Sequence, residues 1–117
     1  MKRIKSFTLG VDQGEQVLFS DFQDDGDMWT GSGSRIVRKH VEFSQMYSAP
    51  PTVHVGLGMW DTDHRTHMRV DIYAENVTVT GFDIVFRTWS DTRIARARAN
   101  WIAMGPLPDE DDWHLSE

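Results

Sequence analysis

Apolar and polar side chains alternate with a period of two along most of the chain, whereas the spacing typical of amphipathic helices is poor throughout. β-Branched and aromatic residues fill the alternating segments, and turn residues separate them. The segments are residues 37–43, 53–59, 70–74, 76–81, 82–86 and 94–103. Residues 76–81 are strand-like but close in a turn, so the segments predict about five strands between residues 35 and 105. The apolar run at 17–19 predicts a sixth.

The predicted strands each have one apolar face, and such faces are buried when two sheets pack together. The sequence therefore predicts an all-β fold, a six-stranded antiparallel β-sandwich. Residues 94–104 are rich in alanine and could form a helix by propensity, but their apolar positions repeat every two residues, which favours a strand. Lys39 interrupts the apolar face of its segment and indicates an edge strand or an interface.

A chain of 117 residues predicts one domain, residues 1–117. Glycine, serine and aspartate dominate residues 24–34, which predicts a long loop. Residues 106–117 are predicted to form an acidic C-terminal tail after the last strand. Trp113 and Leu115 in that tail could dock on a neighbouring protein, but an ordinary frayed terminus is the favoured interpretation.

Composition excludes several classes of protein. The absence of cysteine excludes a disulfide scaffold and a cysteine zinc ribbon. A net charge of −6 argues against nucleic acid as a partner, and no apolar run approaches the roughly 20 residues required for membrane insertion. The basic start, residues 1–5, is not followed by the apolar core of a secretion signal. Extracellular, particle-associated and cytoplasmic locations all remain open.

Residues 60–67 place several polar side chains between two predicted strands. Asp61, Asp63, His64 and His67 are metal ligands by type, but their spacing matches neither a zinc signature nor a calcium loop. The segment is a polar hairpin tip, a loop that contacts a ligand, or a metal site. We expect neither a metal nor a cofactor, and no nucleophile–base signature accompanies Ser90 and Asp91, so we expect no enzyme activity.

Two further groups of residues could bind ligands. Arg69 and Trp89 are expected beside that hairpin, where a guanidinium donates forked hydrogen bonds and an indole offers a flat apolar face, as sugar sites require. A tryptophan buried in the core is the alternative. Arg93, Arg96 and Arg98 form a basic stripe that suits either phosphate or, as the composition favours, carboxylates across a subunit boundary.

Several motifs follow one another in a distinctive order: Phe43 with Tyr47, Pro50-Pro51-Thr52-Val53, Arg69-Val70, Val77-Thr78 with Thr80-Gly81-Phe82, Thr88-Trp89-Ser90-Asp91-Thr92 and Asn100-Trp101-Ile102-Ala103. Together they resemble the H-type lectin domain, the family of snail agglutinins and of the C-terminal domain of discoidins. The resemblance covers a core of about residues 35–105. It implies a homo-trimer, or a hexamer built from trimers, that binds galactose, N-acetylgalactosamine or a related glycan in clefts between protomers.

The resemblance also implies roles for individual residues. Arg69 and Trp89 take the positions of the family's sugar-binding arginine and tryptophan, and Ser90 that of a polar contact. The family's acidic contact aligns with Ser32, which has no carboxylate, so Asp27 is a substitute if the loop folds differently. An aromatic contact of the family aligns with Ala95. The missing polar contacts could come from the hairpin, through these residues: Asp61, Asp63 and His64.

Three functions follow as hypotheses. The first is a non-catalytic, multivalent carbohydrate-binding lectin of the kind that mediates cell adhesion. The second is a structural or attachment module of a larger virus-like or cell-surface assembly, with or without glycan binding. The third is a small metal-dependent enzyme that uses His64 and His67. The first accounts for the most residues.

Overall fold

The chain folds into two packed antiparallel sheets in the computed structural model, which describes residues 1–5 and 8–109. The strands in this part of the chain are β1 (Leu9–Phe19), β2 (Arg35–Glu42), β3 (Thr52–Thr62), β4 (Val70–Glu75), β5 (Gly81–Thr88) and β6 (Ile94–Pro106). Two one-turn helices, α1 (Asp21–Asp24) and α2 (Asp27–Thr30), connect β1 to β2. No helix in the described ranges is long and apolar enough to cross a membrane.

The first sheet has the strand order β1-β6-β3 and the second has the order β2-β5-β4, with antiparallel pairing throughout. The two sheets enclose one core, so the predicted all-β antiparallel fold is confirmed. Strand β2 lies at an edge of the second sheet. Lys39 is exposed on that edge although its register partner, Ile84, is buried, which explains why a lysine is tolerated on an otherwise apolar face.

Complementary side-chain sizes explain the position of the core. The rings of Phe82 and Phe86 on β5 are fully buried, and Phe86 contacts Phe19 at a centroid distance of 5.5 Å. Strand β6 of the other sheet presents Ala97 and Ala99 to the same core. Small side chains on one sheet leave room for large rings on the other. The alanine-rich segment is therefore a strand, as its period of two predicted.

Three details differ from the sequence expectation. Residues 76–80 form a turn rather than a strand, because Asn76 has a φ of 54° and Thr78 Oγ1 donates to the carbonyl oxygen of Gly81 at 3.1 Å. The predicted loop at 24–34 contains α2. Strand β1 is far longer than residues 17–19, since glycines and polar residues obscure its alternation. Most of the predicted tail, including Trp113 and Leu115, lies outside the described residues.

The topology gathers three connections at one end of the sandwich. Strands β1, β3 and β5 end there, and β2, β4 and β6 begin there. The connections are residues 20–34, 63–69 and 89–93. We call this the loop end. Loops carried by a rigid sandwich are the usual location of binding residues. The sugar-contact candidates from the sequence fall within these three segments except for Asp61, at the end of β3, and Arg96 and Arg98 of the basic stripe lie on β6.

Candidate functional site

The strand register brings the positions of Arg69 and Trp89 together at the loop end. Val70 on β4 pairs with Thr88 on β5, so the next opposite positions along the ladder belong to Arg69 and Trp89. The Thr88 hydroxyl donates to the carbonyl oxygen of Arg69 at 2.6 Å, and the Arg69 amide donates to Thr92 Oγ1 at 3.1 Å. Both side chains are exposed, and Trp89 retains 37% of its accessible surface. The indole is therefore at the surface and not in the core.

The two side chains are prepared for a ligand in different ways. The guanidinium of Arg87 lies 5.8 Å from the ring centroid of Trp89, close enough for a cation–π contact that restricts the indole. The Arg69 guanidinium makes no hydrogen bond to any residue in the described part of the chain. The Trp89 indole is therefore a restrained apolar surface, and the neighbouring Arg69 guanidinium is available to donate hydrogen bonds to a ligand.

Ser90 and Ser32 are brought to the same end by backbone contacts. The carbonyl oxygen of Ser90 accepts a hydrogen bond from the Gly33 amide at 2.8 Å, and Ser32 is the exposed neighbour of Gly33. Ser90 has a φ of 65°, in the left-handed region that residues other than glycine adopt rarely. Surrounding contacts stabilise this conformation, which is typical of turns at functional sites.

Arg35 was not expected at the site from the sequence, yet it holds the Ser32 and Ser90 loops together from the core side. Its side chain is buried, with 6% exposure, and donates to backbone oxygens of Gly33 at 3.0 Å and of Asp27, Met28 and Ser90 at 3.4 Å each. A buried guanidinium that binds carbonyl oxygens of two loops holds them together. One signal of this role was present in the sequence: in the two-residue alternation of β2, Arg35 takes a position whose side chain points inward.

Asp63 has a positioning role instead of the expected ligand contact. Its side chain is only 3% exposed and accepts hydrogen bonds from Arg65 Nε and Nη2 at 2.9 and 2.8 Å, and from Arg93 Nη1 at 3.2 Å. The Arg65 side chain and then its backbone amide hold the pKa of Asp63 well below its usual range. The carboxylate is therefore charged and already bonded, and it stabilises the 63–69 connection.

The remaining candidates are more dispersed. His64 is an exposed residue at the hairpin tip, with 92% of its side chain accessible. Asp61 lies on β3 and pairs with Arg96 Nε on β6 at 3.2 Å. Asp27 is exposed in the first turn of α2. In residues 1–5 and 8–109, no group of three or more histidine, aspartate or glutamate side chains is placed to hold a metal ion.

A contact that was not expected from the sequence joins two of the three connections. His67 Nδ1 lies 3.1 Å from Asp91 Oδ1, and Thr92 Oγ1 donates to the carbonyl oxygen of His67 at 2.5 Å. Partial burial of Asp91 would raise the pKa of its carboxyl group, but hydrogen bonds from the His67 side chain and backbone outweigh it, so that pKa lies below its usual range. The loops that carry Arg69 and Trp89 are thus fastened together.

The architecture and the sequence agree with one known family. The H-type lectin domain matches residues 38–104, more than half of the chain. The chain belongs to the H-type lectin family. This H-type lectin is also 55% identical over 108 residues to a Fuscovulum blasticum protein described as ATP synthase subunits region ORF 7, with 92% of this chain and 94% of that protein covered.

Two discoidins from Dictyostelium discoideum are more distant relatives of this H-type lectin. Discoidin-2 is 32% identical over 82 residues, which cover 68% of this chain and 32% of that protein. The structure of recombinant discoidin II superimposes with a TM-score of 0.73 at 24% identity, over 90% of this chain and 40% of that one. One chain of discoidin-1 is 36% identical over 75 residues, with 63% of this chain and 30% of that protein covered. The chain therefore spans less than half the length of the discoidins that it matches, and the structural likeness shows the fold.

Proposed function

We propose that this chain is a non-catalytic carbohydrate-binding lectin that binds glycans through Arg69 and Trp89. The observation that carries the proposal is the register that places an exposed indole opposite a guanidinium without a hydrogen bond to any described residue, at the loop end of an H-type lectin fold. Membership of the family and the likeness to discoidins support the same function.

The chemistry of this pair suits a sugar better than other ligands. A pyranose ring has one face of C–H groups, which packs on an aromatic face such as that of Trp89. Its hydroxyl oxygens accept hydrogen bonds, which the planar guanidinium of Arg69 donates in fixed directions. Each hydroxyl exchanges water for protein at small net gain, so a single site binds weakly and several sites are required for strong attachment.

The sugar class that we propose is galactose, N-acetylgalactosamine or a related terminal residue. Ser90 and Ser32 lie at the same end as Arg69 and Trp89 and supply hydroxyl groups. Neither carries a charge, and Asp63 is occupied by Arg65 and Arg93. A neutral sugar therefore agrees better with the polar groups that remain than a cationic amino sugar would.

We further propose that the protein assembles as a homo-trimer through the outer face of the β1-β6-β3 sheet. An exposed sheet face is ordinarily polar, but this one has exposed apolar side chains. Val11, Val17 and Met104 retain 57%, 59% and 41% of their surface, and the strand register places them on this outer face. Apolar side chains at these positions are expected where two subunits pack.

Arg98 lies in the middle of that face and supports the same proposal. It pairs in register with Val17 on one side and Met59 on the other. Its Nε is buried and has no hydrogen-bond partner in the described part of the chain, which is costly for a charged group. The Arg98 residue as a whole is only half-buried, so a carboxylate from a second copy can bond to the outer part of its guanidinium, and Glu15 is one row away on the same face.

Alanine at Arg69 or at Trp89 is the direct test of the binding site. We expect either variant to bind glycans roughly 10- to 100-fold more weakly. Arg69→Ala loses a hydrogen bond to a charged group, which costs about 1.5–3 kcal/mol, and Trp89→Ala loses the apolar surface on which the sugar packs, at a cost of about the same size. The measurement is a glycan array on the native oligomer, with sedimentation of the same sample. Both variants should keep the oligomeric state of the unmodified protein.

Two surface residues provide matched controls for these variants. Trp60 on β3 is 51% exposed, and Arg38 on β2 pairs with Glu75 away from the loop end. Trp60→Ala and Arg38→Ala should leave the array signal unchanged. Undiminished binding by both the Arg69→Ala and Trp89→Ala variants would refute the assignment of the site.

Charge reversal at Arg98 tests the assembly. We expect the unmodified protein to sediment as three chains at micromolar concentration, and Arg98→Glu to sediment as a monomer, because like charges would then meet across the seam. Arg38→Glu, on the outer face of the other sheet, is the control and should remain a trimer. An unmodified protein that is monomeric and co-purifies with a different protein, without a glycan ligand, would favour the attachment-module hypothesis instead.

A further inference from the structure

A pocket of about 330 Å³ lies at the loop end, between the helical segment and the first sheet. Arg69 and Trp89 belong to the same end of the sandwich but do not line this pocket. Phe22 and Trp29 from the segment, and Asp61 and Arg96 from β3 and β6, are among its lining residues. The volume is at the lower end of the range of about 300–1,000 Å³ for small-ligand pockets. Asp61 was expected as a sugar contact and Arg96 as part of a basic stripe, whereas Phe22 and Trp29 were not expected to contact a ligand.

One wall of the pocket is aromatic and fixed in place. The rings of Phe22 and Trp29 pack edge to face at a centroid distance of 5.2 Å. Trp29 is held from behind, because the Arg93 guanidinium lies 4.3 Å from its ring centroid and donates to its carbonyl oxygen at 2.7 Å. Phe22 nevertheless retains 59% exposure. The exposed ring of Phe22, packed against the restrained Trp29, is therefore an apolar surface available to a ligand.

The other wall is polar and charged. Arg96 Nε donates to Asp61 Oδ2 at 3.2 Å, and both side chains are about half exposed, at 57% and 49%. The pair presents guanidinium nitrogens and carboxylate oxygens side by side. Adjacent hydroxyl groups on a sugar ring both donate and accept hydrogen bonds, so such a pair can bind two of them together. Ala95, a small residue in the pocket wall, leaves the space between the two walls open.

We infer that this pocket, which we call the aromatic subsite, binds a second sugar residue of the glycan. The C–H face of that sugar packs on Phe22, and its hydroxyl groups bond to Arg96 and Asp61. The inference rests on the proposed function and extends it, since it predicts recognition of an oligosaccharide rather than of a terminal sugar alone. Arg93 connects the two parts of the site, because it contacts Trp29 and also bonds to Asp63 in the connection that leads to Arg69.

The test compares the same terminal sugar in two forms on the array, attached alone to a spacer and attached as the end of a trisaccharide. For the unmodified protein we expect the trisaccharide to bind about tenfold more tightly. Phe22→Ala should remove that advantage and leave binding of the lone sugar unchanged. Phe22 is exposed, so the variant should fold normally. Trp60→Ala, at an exposed indole outside the pocket, is the matched control and should keep the full advantage.

Each outcome separates the aromatic subsite from the proposed function. Equal binding of both forms, or an advantage that survives in Phe22→Ala, would overturn the subsite and leave the lectin assignment standing. An absence of binding to any sugar by the unmodified protein would refute the lectin assignment and the subsite with it. Loss of binding to the lone sugar in Phe22→Ala would show that the pocket belongs to the primary site, which would also overturn a separate subsite.

Discussion

Replacing Phe86 by alanine should lower the free energy of unfolding by about 3–5 kcal/mol, because the ring is fully buried and the cavity that it leaves cannot collapse. Phe86 packs against Phe19 of the opposite sheet, so the lost ring contact loosens the packing between the two sheets. The total free energy of unfolding of a domain of this size is typically about 5–15 kcal/mol. The melting temperature should fall by roughly 12–20 °C, which urea and thermal unfolding followed by circular dichroism would measure.

The matched control for this variant is Phe22→Ala. It removes the same atoms from a ring that is 59% exposed, and we expect a loss below about 1 kcal/mol. A destabilisation by Phe86→Ala no larger than that of Phe22→Ala would contradict the position of the core. The result would also count against the sandwich as the support of the binding site.

Replacing Arg35 by alanine should destabilise the protein by about 2–4 kcal/mol and weaken glycan binding at the same time. Arg35 is buried and donates to carbonyl oxygens on both sides of the loop end. Its removal deletes these charge-assisted hydrogen bonds and leaves a cavity between the two loops. Because Arg35 bonds to Gly33 and to Ser90, its loss leaves the Gly33 amide bond to the Ser90 carbonyl oxygen unsupported, and the geometry of the loops should loosen. Urea unfolding and the glycan array measure the two effects.

Two other variants sharpen this experiment. Arg38→Ala changes an arginine on the same strand whose side chain is 53% exposed and paired with Glu75, and it should cost less than about 1 kcal/mol. Arg35→Lys keeps the charge but loses the planar fork, so its stability should fall between those of the alanine variant and the unmodified protein. Unchanged stability in Arg35→Ala would show that the loops are held by other contacts.

Periodicity alone predicted most of the fold correctly. Alternation in residues 82–86 and 94–103 is strong because one face of each segment is buried against the opposite sheet, and both segments are strands. Residues 76–80 have equally good strand propensity but form a turn, because Asn76 adopts a left-handed conformation and the Thr78 hydroxyl bonds locally. Propensity does not report such local hydrogen bonds, and this is the reason for that error.

The candidate site was only partly accessible to sequence reasoning. Arg69 is polar, Trp89 is aromatic, and both lie at strand ends, where binding residues are commonly found. The order of the motifs that contain them also resembles the H-type lectin domain. Asp63 has the same appearance in the sequence, yet it is buried between Arg65 and Arg93. A carboxylate that binds a ligand and one that fixes a loop cannot be distinguished without the distances to its neighbours.

The sequence by itself determined the two-sheet architecture, the alanine-rich strand and the family, because each depends on side-chain spacing that is written in the order of the residues. Tertiary structure alone decided that Arg35 ties two loops together, that Trp29 and Phe22 form one wall of a pocket, and that Arg98 Nε is buried without a partner in the described part of the chain. These features join residues that are distant in sequence. Their chemistry arises from contacts between strands and loops, and no local pattern encodes such contacts.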